Sequence, residues 1–133
     1  MSNRTEPPRT VEKVWGTERW LVNGELYCCK RLHVNRGYQC SFHRHLVKDE
    51  TFIVEWGHGQ AVVGGKLIDL EPGAIVEIPP GTWHKFWCPS DSLGLMMLEV
   101  STHHDDADVE RSSESGPIPE ILECDALKEA RIE

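Results

Sequence analysis

The sequence lacks three features that would assign it to a common class of protein. No apolar run approaches the ~20 residues of a membrane span, and the first ten residues contain no apolar segment typical of a secretory signal. No CxxC pair is present and the number of cysteines is odd, which argues against a zinc ribbon or a disulfide framework. The cysteines are Cys28, Cys29, Cys40, Cys88 and Cys124. These absences predict a cytoplasmic protein with reduced thiols and no membrane partner.

Basic residues are also scarce, and their distribution argues against nucleic acid as a partner. The formal net charge is −8. Residues 99–133 hold 11 of the 22 acidic side chains but only three of the 14 lysines and arginines, whereas residues 1–98 are balanced. No basic face emerges that would attract a phosphate backbone. The acidic tail is expected to be a solvated surface segment.

Short apolar runs separated by turn residues predict an all-β sandwich or barrel. Among these runs are "LYCCKRLHV", "TFIVEW" and "LGLMMLEV". Gly64-Gly65 predicts a two-residue hairpin, because both central positions of the favoured turn need positive φ. Only "PIPEILECDALKEARIE" has the apolar spacing of a short helix. The 133 residues therefore predict one domain over 11–116, preceded by a flexible arm (1–10) and followed by a C-terminal tail or helix (117–133).

Three histidines and one glutamate are spaced so that they can converge on one metal ion. His43 and His45 share a face of a strand because they are two residues apart. Glu50 opens the next strand, whose pairing returns its carboxylate to the imidazoles, and His84 follows the turn "PPGTW". Such a donor set suits one divalent Fe, Mn, Co, Ni or Zn ion per chain. The other histidines are expected to be surface side chains: His33, His58, His103 and His104.

Glycines and prolines around these four residues form two recognisable motifs. Residues 37–57 are Gly, five residues, His-x-His, four residues, Glu, six residues, Gly, and residues 73–84 are Gly, five residues, Pro-x-Gly, two residues, His. This pattern resembles the two signature motifs of the cupin superfamily, which implies a small double-sheet jelly-roll barrel with a metal in its mouth. The second motif usually closes with Asn, where this chain has Cys88. Packing is the favoured role for Cys88, and a position near the metal is the alternative.

The flanks of the barrel resemble one branch of that superfamily, the cupin-type mannose-6-phosphate isomerases. These include the domain at the end of bifunctional isomerase–guanylyltransferases. "VEKVWGTERWLV" is similar to their entry segment, with Trp15-Gly16 before a strand that bears Lys30. "LEVSTHHDDADVERSSESG" is similar to their exit segment, and its matching residues are Glu99, Asp105, Asp106, Asp108 and Arg111.

The resemblance implies a metal-dependent aldose–ketose isomerase that acts on a sugar or sugar phosphate through an enediol. Glu99 is then the first candidate for the base that moves a proton between C1 and C2. Lys48 and Lys85 border the ligands and are candidates to polarise an oxygen or hold a phosphate. Lys30 and Arg111 are the candidate substrate-binding residues.

Two other classes of function use the same donor set. A non-haem iron dioxygenase of the cupin type also needs histidines and a carboxylate with open coordination positions. A non-catalytic sugar-binding module would have the same fold but would not convert the sugar that it binds. A homodimer is also expected, because the strand "LGLMMLEV" is apolar on both faces and cupins commonly dimerise.

Overall fold

The computed structural model describes residues 7–119, which form thirteen β-strands. The strands are β1 Arg9–Lys13, β2 Gly16–Asn23, β3 Cys28–Val34, β4 Tyr38–Gln39, β5 His43–Arg44, β6 Glu50–Gly57, β7 Gly59–Val63, β8 Lys66–Leu70, β9 Ile75–Ile78, β10 His84–Cys88, β11 Leu95–Ser101, β12 Glu110–Arg111 and β13 Gly116–Pro117. Within residues 7–119 there is no helix with the length and apolar character needed to cross a membrane.

The strands form two antiparallel sheets, as the resemblance to a double-sheet jelly roll predicted. The first sheet has six strands in the order β1-β2-β3-β11-β6-β9. In the second, β10 pairs with β7 on one side and with the short strands β4 and β5 on the other. β8 extends this sheet beyond β7, while β12 and β13 extend it beyond β5 and β4. The all-β prediction is confirmed.

Alternating burial along the strands places one face of each sheet in a shared core. In β3, Cys28, Lys30, Leu32 and Val34 are buried, while the residues between them are partly exposed. This period of two is the expected pattern for a strand with one face on the core. Aromatic rings join the two sheets at the centre of the core. The centroid of Phe86 in β10 lies 5.2 Å from that of Trp15 and 5.8 Å from that of Phe52 in β6.

The segment 39–45, which reads as one strand in the sequence, is divided between β4 and β5. Both pair with β10, but the backbone N–H of Phe42 lies between them and donates to the Ser113 hydroxyl at 2.9 Å. The strict alternation of faces is therefore lost here, and Cys40 and Ser41 both reach the interior cavity. His43 and His45 stay on the inner side.

Strands lie close to both ends of the described segment. Arg9 and Thr10 belong to β1, which pairs with β2 along its whole length. The Arg9 guanidinium lies 4.4 Å from the ring centroid of Trp20, and this cation–π contact stabilises the pairing of β1 with β2. Gly116–Pro117 forms β13. A helix was expected within residues 117–133, and residues 120–133 of this segment lie outside the described residues.

The hairpin predicted at Gly64-Gly65 is present between β7 and β8. Their φ values are 55° and 81°, and Val63 pairs directly with Lys66. The first four residues of β11, Leu95 to Leu98, are apolar on both faces, as predicted. Leu95 and Met97 are fully buried, whereas Val100 on the outer face is 42% exposed. The homodimer expected from this strand stays a prediction.

Gly57→Ala is expected to destabilise the fold far more than Gly65→Ala. The φ values of the two glycines are 83° and 81°, so alanine carries about 1–2 kcal/mol of left-handed strain at either site. A Cβ at Gly57 would also collide with the carbonyl oxygen of Gly94, whereas Gly65 has open space around it. The collision adds roughly 1–3 kcal/mol. Urea unfolding of both variants measures the difference, and equal unfolding free energies would contradict this explanation.

Candidate metal centre and adjoining cavity

The structure brings together the four side chains that the sequence predicts as metal ligands. His43 in β5 and His84 in β10 are directly opposite each other in the ladder, and their ring centroids are 4.3 Å apart. The ring of His45, just after β5, lies 5.2 Å from that of His43. Glu50, the first residue of β6, places Oε2 3.3 Å from His45 Nε2 and 3.7 Å from His84 Nε2. Both sheets thus contribute to one cluster.

Backbone carbonyls orient all three imidazoles in the same way. The Nδ1–H groups of His43, His45 and His84 donate to the carbonyl oxygens of Ser41 (2.7 Å), Asp108 (2.6 Å) and Thr82 (2.9 Å), respectively. Each Nε2 is therefore left unprotonated and available to a ligand. Metal-bound histidines typically donate their other ring N–H in this manner, because the hydrogen bond fixes both tautomer and ring orientation.

Two atoms at the centre of the cluster are buried and have no hydrogen-bond partner among the described residues. They are Glu50 Oε2 and His84 Nε2. A buried polar atom without a partner costs free energy, so its presence in a folded protein needs an explanation. A divalent cation supplies one, because it would bind both atoms. The three histidine donor atoms lie within 4.8 Å of one another, which also fits a single ion. The residues present therefore suit the metal that the sequence motifs imply.

The protonation of these groups also suits a cation. Burial lowers the pKa values of His45 and His84 to about 4, so both rings are neutral at pH 7 and able to coordinate a metal. Burial, followed by the nearby charge of Glu99, raises the pKa of Glu50 to about 8. A bound cation would favour the ionised form of Glu50 and so lower this pKa.

A second pair of buried charges lies beside the ligands. Lys48 Nζ is 3.2 Å from Glu99 Oε2 and 3.9 Å from Glu50 Oε1, so that its ammonium group lies between two carboxylates. Burial alone would raise the pKa of Glu99, but Lys48 and then Lys30 outweigh it and lower that pKa below its ordinary value. Glu99 is therefore ionised at neutral pH although it is buried.

The six-stranded sheet positions these charged groups in one inward-facing row. Glu99 in β11 is directly opposite Lys30 in β3, and Lys30 is opposite Trp20 in β2. Lys30 Nζ lies 3.6 Å from Glu18 Oε1 and 4.1 Å from the centroid of the Trp20 ring. The ion pair and the cation–π contact compensate for burial of the lysine. The positive charge of Lys30 is thus already neutralised within the protein.

A cavity opens from the cluster and has a volume of about 80 Å³. On the same measure one water molecule needs ~10–15 Å³, so there is room for several waters or for the reacting part of a small ligand. The lining is mainly polar and includes His43, His45, Lys48, Glu50 and Glu99. His84 lies against the other ligands but does not itself line the cavity. A metal here would keep positions accessible to a substrate, as catalytic sites do.

Two candidates from the sequence lie away from this cavity. Lys85 follows His84 in β10 and so faces the opposite side of the strand, and it is not among the lining residues. It has no place in the candidate catalytic group. Cys88 packs in the hydrophobic core, with Sγ 3.5 Å from the carbonyl oxygen of His58, and does not line the cavity. Packing is therefore its role.

Arg111 lies at the cavity on the side of His43, which it faces across the pairing of β12 with β5. Its Nη1 donates to the hydroxyl of Ser41 at 2.6 Å. Within residues 7–119, no carboxylate forms an ion pair with this guanidinium. In this respect Arg111 differs from Lys30, the other candidate for substrate binding.

The sequence analysis expected His104 to be a surface side chain, but this residue lines the cavity. The Nδ1 atom of His104 lies 3.1 Å from Lys48 Nζ, and its Nε2 lies 2.8 Å from Asp106 Oδ1. The result is a chain of polar contacts from the exposed Asp106 to the buried Lys48. No spacing signal distinguishes His104 from His103, because only the folded loop directs one imidazole inward.

Comparisons with known proteins support the resemblance to cupins that the two sequence motifs indicated. The cupin domain family matches residues 30–101. A D-lyxose/D-mannose isomerase of Thermosediminibacter oceani is 30% identical over 128 residues, covering 75% of this chain and 70% of the isomerase. A mannose-1-phosphate guanylyltransferase of Sinorhizobium fredii is 28% identical over 98 residues, covering 74% of this chain. The chain spans only 19% of the length of that guanylyltransferase.

A solved structure gives the same result for the fold. A cupin-2 domain protein of Rhodospirillum rubrum superposes with a TM-score of 0.61 at 23% identity, covering 93% of this chain and 76% of that one. Its likeness concerns the fold alone. Since the family match extends over more than half of the sequence and includes all four converging side chains, the chain belongs to the cupin domain family.

Proposed function

We propose that this cupin is a metal-dependent aldose–ketose isomerase acting on a sugar or sugar phosphate. The observation that carries the proposal is the convergence of four metal-binding side chains next to the buried Glu99–Lys48 pair in one cavity. One similar protein is a D-lyxose/D-mannose isomerase and another a mannose-1-phosphate guanylyltransferase, so both are named for sugar substrates. Mannose 6-phosphate is the substrate that the flanking motifs favour.

His43, His45, Glu50 and His84 would hold the metal. When bound, a divalent ion supplies Lewis-acid polarisation of the sugar oxygens at C1 and C2. The hydrogen bonds from each Nδ1–H to a backbone carbonyl keep the three imidazoles directed at that position without further rearrangement. The site is therefore organised before the substrate arrives.

Glu99 would move the proton between C1 and C2. Its carboxylate stays ionised at neutral pH because Lys48 and Lys30 lower its pKa, so it can accept a proton from carbon. Lys48 donates a hydrogen bond to Glu99 Oε2 and thereby fixes the orientation of the carboxylate beside Glu50.

Arg111 would bind the anionic group of a phosphorylated substrate. It lines the cavity, its charge has no carboxylate partner among residues 7–119, and a guanidinium can hold a phosphate by two hydrogen bonds. Lys30 suits this task less, because Glu18 and Trp20 already surround its ammonium group. We therefore propose that Lys30 helps to keep Glu99 ionised by lowering its pKa.

Removal of His84 is expected to abolish metal binding. Elemental analysis of the purified protein should give about one divalent ion per chain, and His84→Ala should lose it because one of four donors is gone. His103→Ala is the control, since His103 is exposed and its Nδ1 contacts the Gly24 carbonyl, away from the four candidate ligands. Wild-type protein that stays free of metal after incubation with Zn²⁺, Mn²⁺, Co²⁺, Ni²⁺ and Fe²⁺ would refute the proposed centre.

Glu99→Gln is expected to lower kcat by roughly 10²–10⁴-fold because the proton acceptor is lost. The assay is ketose formation from aldoses and their phosphates, with the reverse reaction run in deuterated water. Deuterium should enter C2 of the aldose if the proton on Glu99 exchanges with water in the cavity, whereas retention of the original hydrogen in every turnover would count against this proton transfer. Glu55→Gln, which breaks only the exposed pair with Arg31, should leave kcat unchanged.

The same screen separates the two rival functions. Oxygen consumption with a thiol or catechol and no conversion of any sugar would identify a non-haem iron dioxygenase. Sugar binding to the metal-loaded protein without turnover would identify a binding module.

Arg111→Gln is expected to raise KM for a phosphorylated sugar by at least tenfold and to leave KM for the free sugar unchanged. The physical reason is the loss of a charge-assisted pair, which is roughly twice as strong as a neutral hydrogen bond. Steady-state kinetics with a matched pair of free and phosphorylated aldoses measures the effect. An equal change in KM for both sugars would show that Arg111 does not bind the phosphate.

A further inference from the structure

We infer that Asp108 sets the metal affinity of the site by holding the loop that joins two of the four ligands. This loop, residues 46–49, runs from His45 to Glu50. Asp108 lies in a different part of the chain, just before β12, and contacts both the loop and a ligand. The inference rests on the metal centre proposed above, but not on the isomerase reaction.

The Asp108 carboxylate accepts hydrogen bonds from three consecutive backbone N–H groups. Oδ1 accepts from Leu46 at 2.8 Å and from Val47 at 3.2 Å. Oδ2 accepts from Lys48 at 2.9 Å and more weakly from Val47 at 3.3 Å. One side chain therefore satisfies every backbone donor between His45 and Asp49. Burial would raise the pKa of Asp108, but the three N–H groups hold it below its ordinary value.

The main-chain carbonyl of Asp108 acts on the ligand itself. It accepts the Nδ1–H of His45 at 2.6 Å and so directs His45 Nε2 toward Glu50. Asp108 is thus the one described residue that contacts His45 through its backbone and the following loop through its side chain. Displacement of Asp108 would disturb two determinants of the ligand geometry at once.

The loop has little else to hold it at this end. Leu46 and Val47 are 55% and 75% exposed, so apolar packing contributes little to their position. The far end is tied separately, because Asp49 N–H donates to the Thr102 hydroxyl and Thr102 N–H donates to the Asp49 carbonyl, both at 3.0 Å. The conformation of Leu46 and Val47 therefore depends on the carboxylate of Asp108, whereas Lys48 is also held by the contact of its ammonium group with Glu99.

Asp108 is itself held in place by its neighbours in sequence. Its N–H donates to the carbonyl of Asp105 at 2.9 Å, which closes a turn. β12 follows directly, with Glu110 opposite Arg44 and Arg111 opposite His43. The pairing of β12 with β5 thus fixes the position of Asp108 relative to two ligands. Its role is that of a positioning residue, since it has no atom among the metal-binding donors.

The test compares Asp108→Ala, Asp108→Asn and the control Glu110→Gln with the wild-type protein. Glu110 lies two residues away and pairs with the exposed side of Arg44, so its loss removes a carboxylate from the same segment without touching the loop. The apoproteins are titrated with Co²⁺ in competition with a chelating dye, and the visible spectrum of bound Co²⁺ reports the ligand geometry. Melting temperatures of the four apoproteins are measured in parallel.

We expect Asp108→Ala to weaken Co²⁺ binding about 10–100-fold, as is typical for loss of a group that orients ligands. Its Co²⁺ spectrum should shift, because His45 and Glu50 no longer hold the same relative position. Asp108→Asn should bind with intermediate affinity. Its remaining oxygen can still accept from Leu46 and Val47, whereas its amide faces the N–H of Lys48. Glu110→Gln should bind as the wild-type protein does.

A Co²⁺ affinity and spectrum for Asp108→Ala within twofold of the control would overturn the inference, even if its apoprotein melted at a lower temperature. Should Asp108→Ala fail to fold, Asp108→Asn decides the question in the same way. Failure of the wild-type protein to bind any of Co²⁺, Zn²⁺, Mn²⁺, Ni²⁺ and Fe²⁺ would instead refute the metal centre, and this inference with it. Normal metal binding without sugar turnover would refute only the isomerase.

Discussion

The structure depends on a group of donor atoms that cannot satisfy one another. Glu50 Oε2 and the Nε2 atoms of His45 and His84 face each other in the interior, and the Nδ1–H groups of the two histidines already donate to backbone carbonyls. Among the described residues, nothing donates a hydrogen bond to Glu50 Oε2 or His84 Nε2. A cation would resolve this conflict, and the surrounding fold keeps the donors in place for one.

The two sheets contribute different side chains to the same site. The seven-stranded sheet supplies His43 and His84 from adjacent strands, so their spacing follows from one ladder pairing. The six-stranded sheet supplies Glu50 and the buried row that includes Glu99 and Lys30. The metal centre therefore lies at the contact between the sheets, and its geometry depends on how they pack.

Burial of several charged groups beside the metal centre requires that they compensate one another. Lys48 bridges Glu99 and Glu50, and Lys30 is enclosed by Glu18 and Trp20. Removing one member would leave an unpaired charge in the interior, which is far more costly than the pair itself is stabilising. The same arrangement gives the two carboxyl groups different acidities, because the pKa of Glu99 is lowered by Lys48 and Lys30 while burial and the charge of Glu99 raise the pKa of Glu50 to about 8.

Local pattern in the sequence was sufficient for most of the strands and for the Gly64-Gly65 hairpin, because alternation along strands and short turns are set within a few residues. The meeting of His43, His45, Glu50 and His84 was predicted from the spacing of the two motifs that resemble those of cupins. The roles of His104 and Asp108, and the distance of Lys85 from the cavity, depended on the folded chain. His104 reaches Lys48 across 56 positions of sequence, and Asp108 reaches Leu46 across 62. Contacts between such distant segments leave no periodic signal, since they arise only when the two sheets pack and β12 pairs with β5.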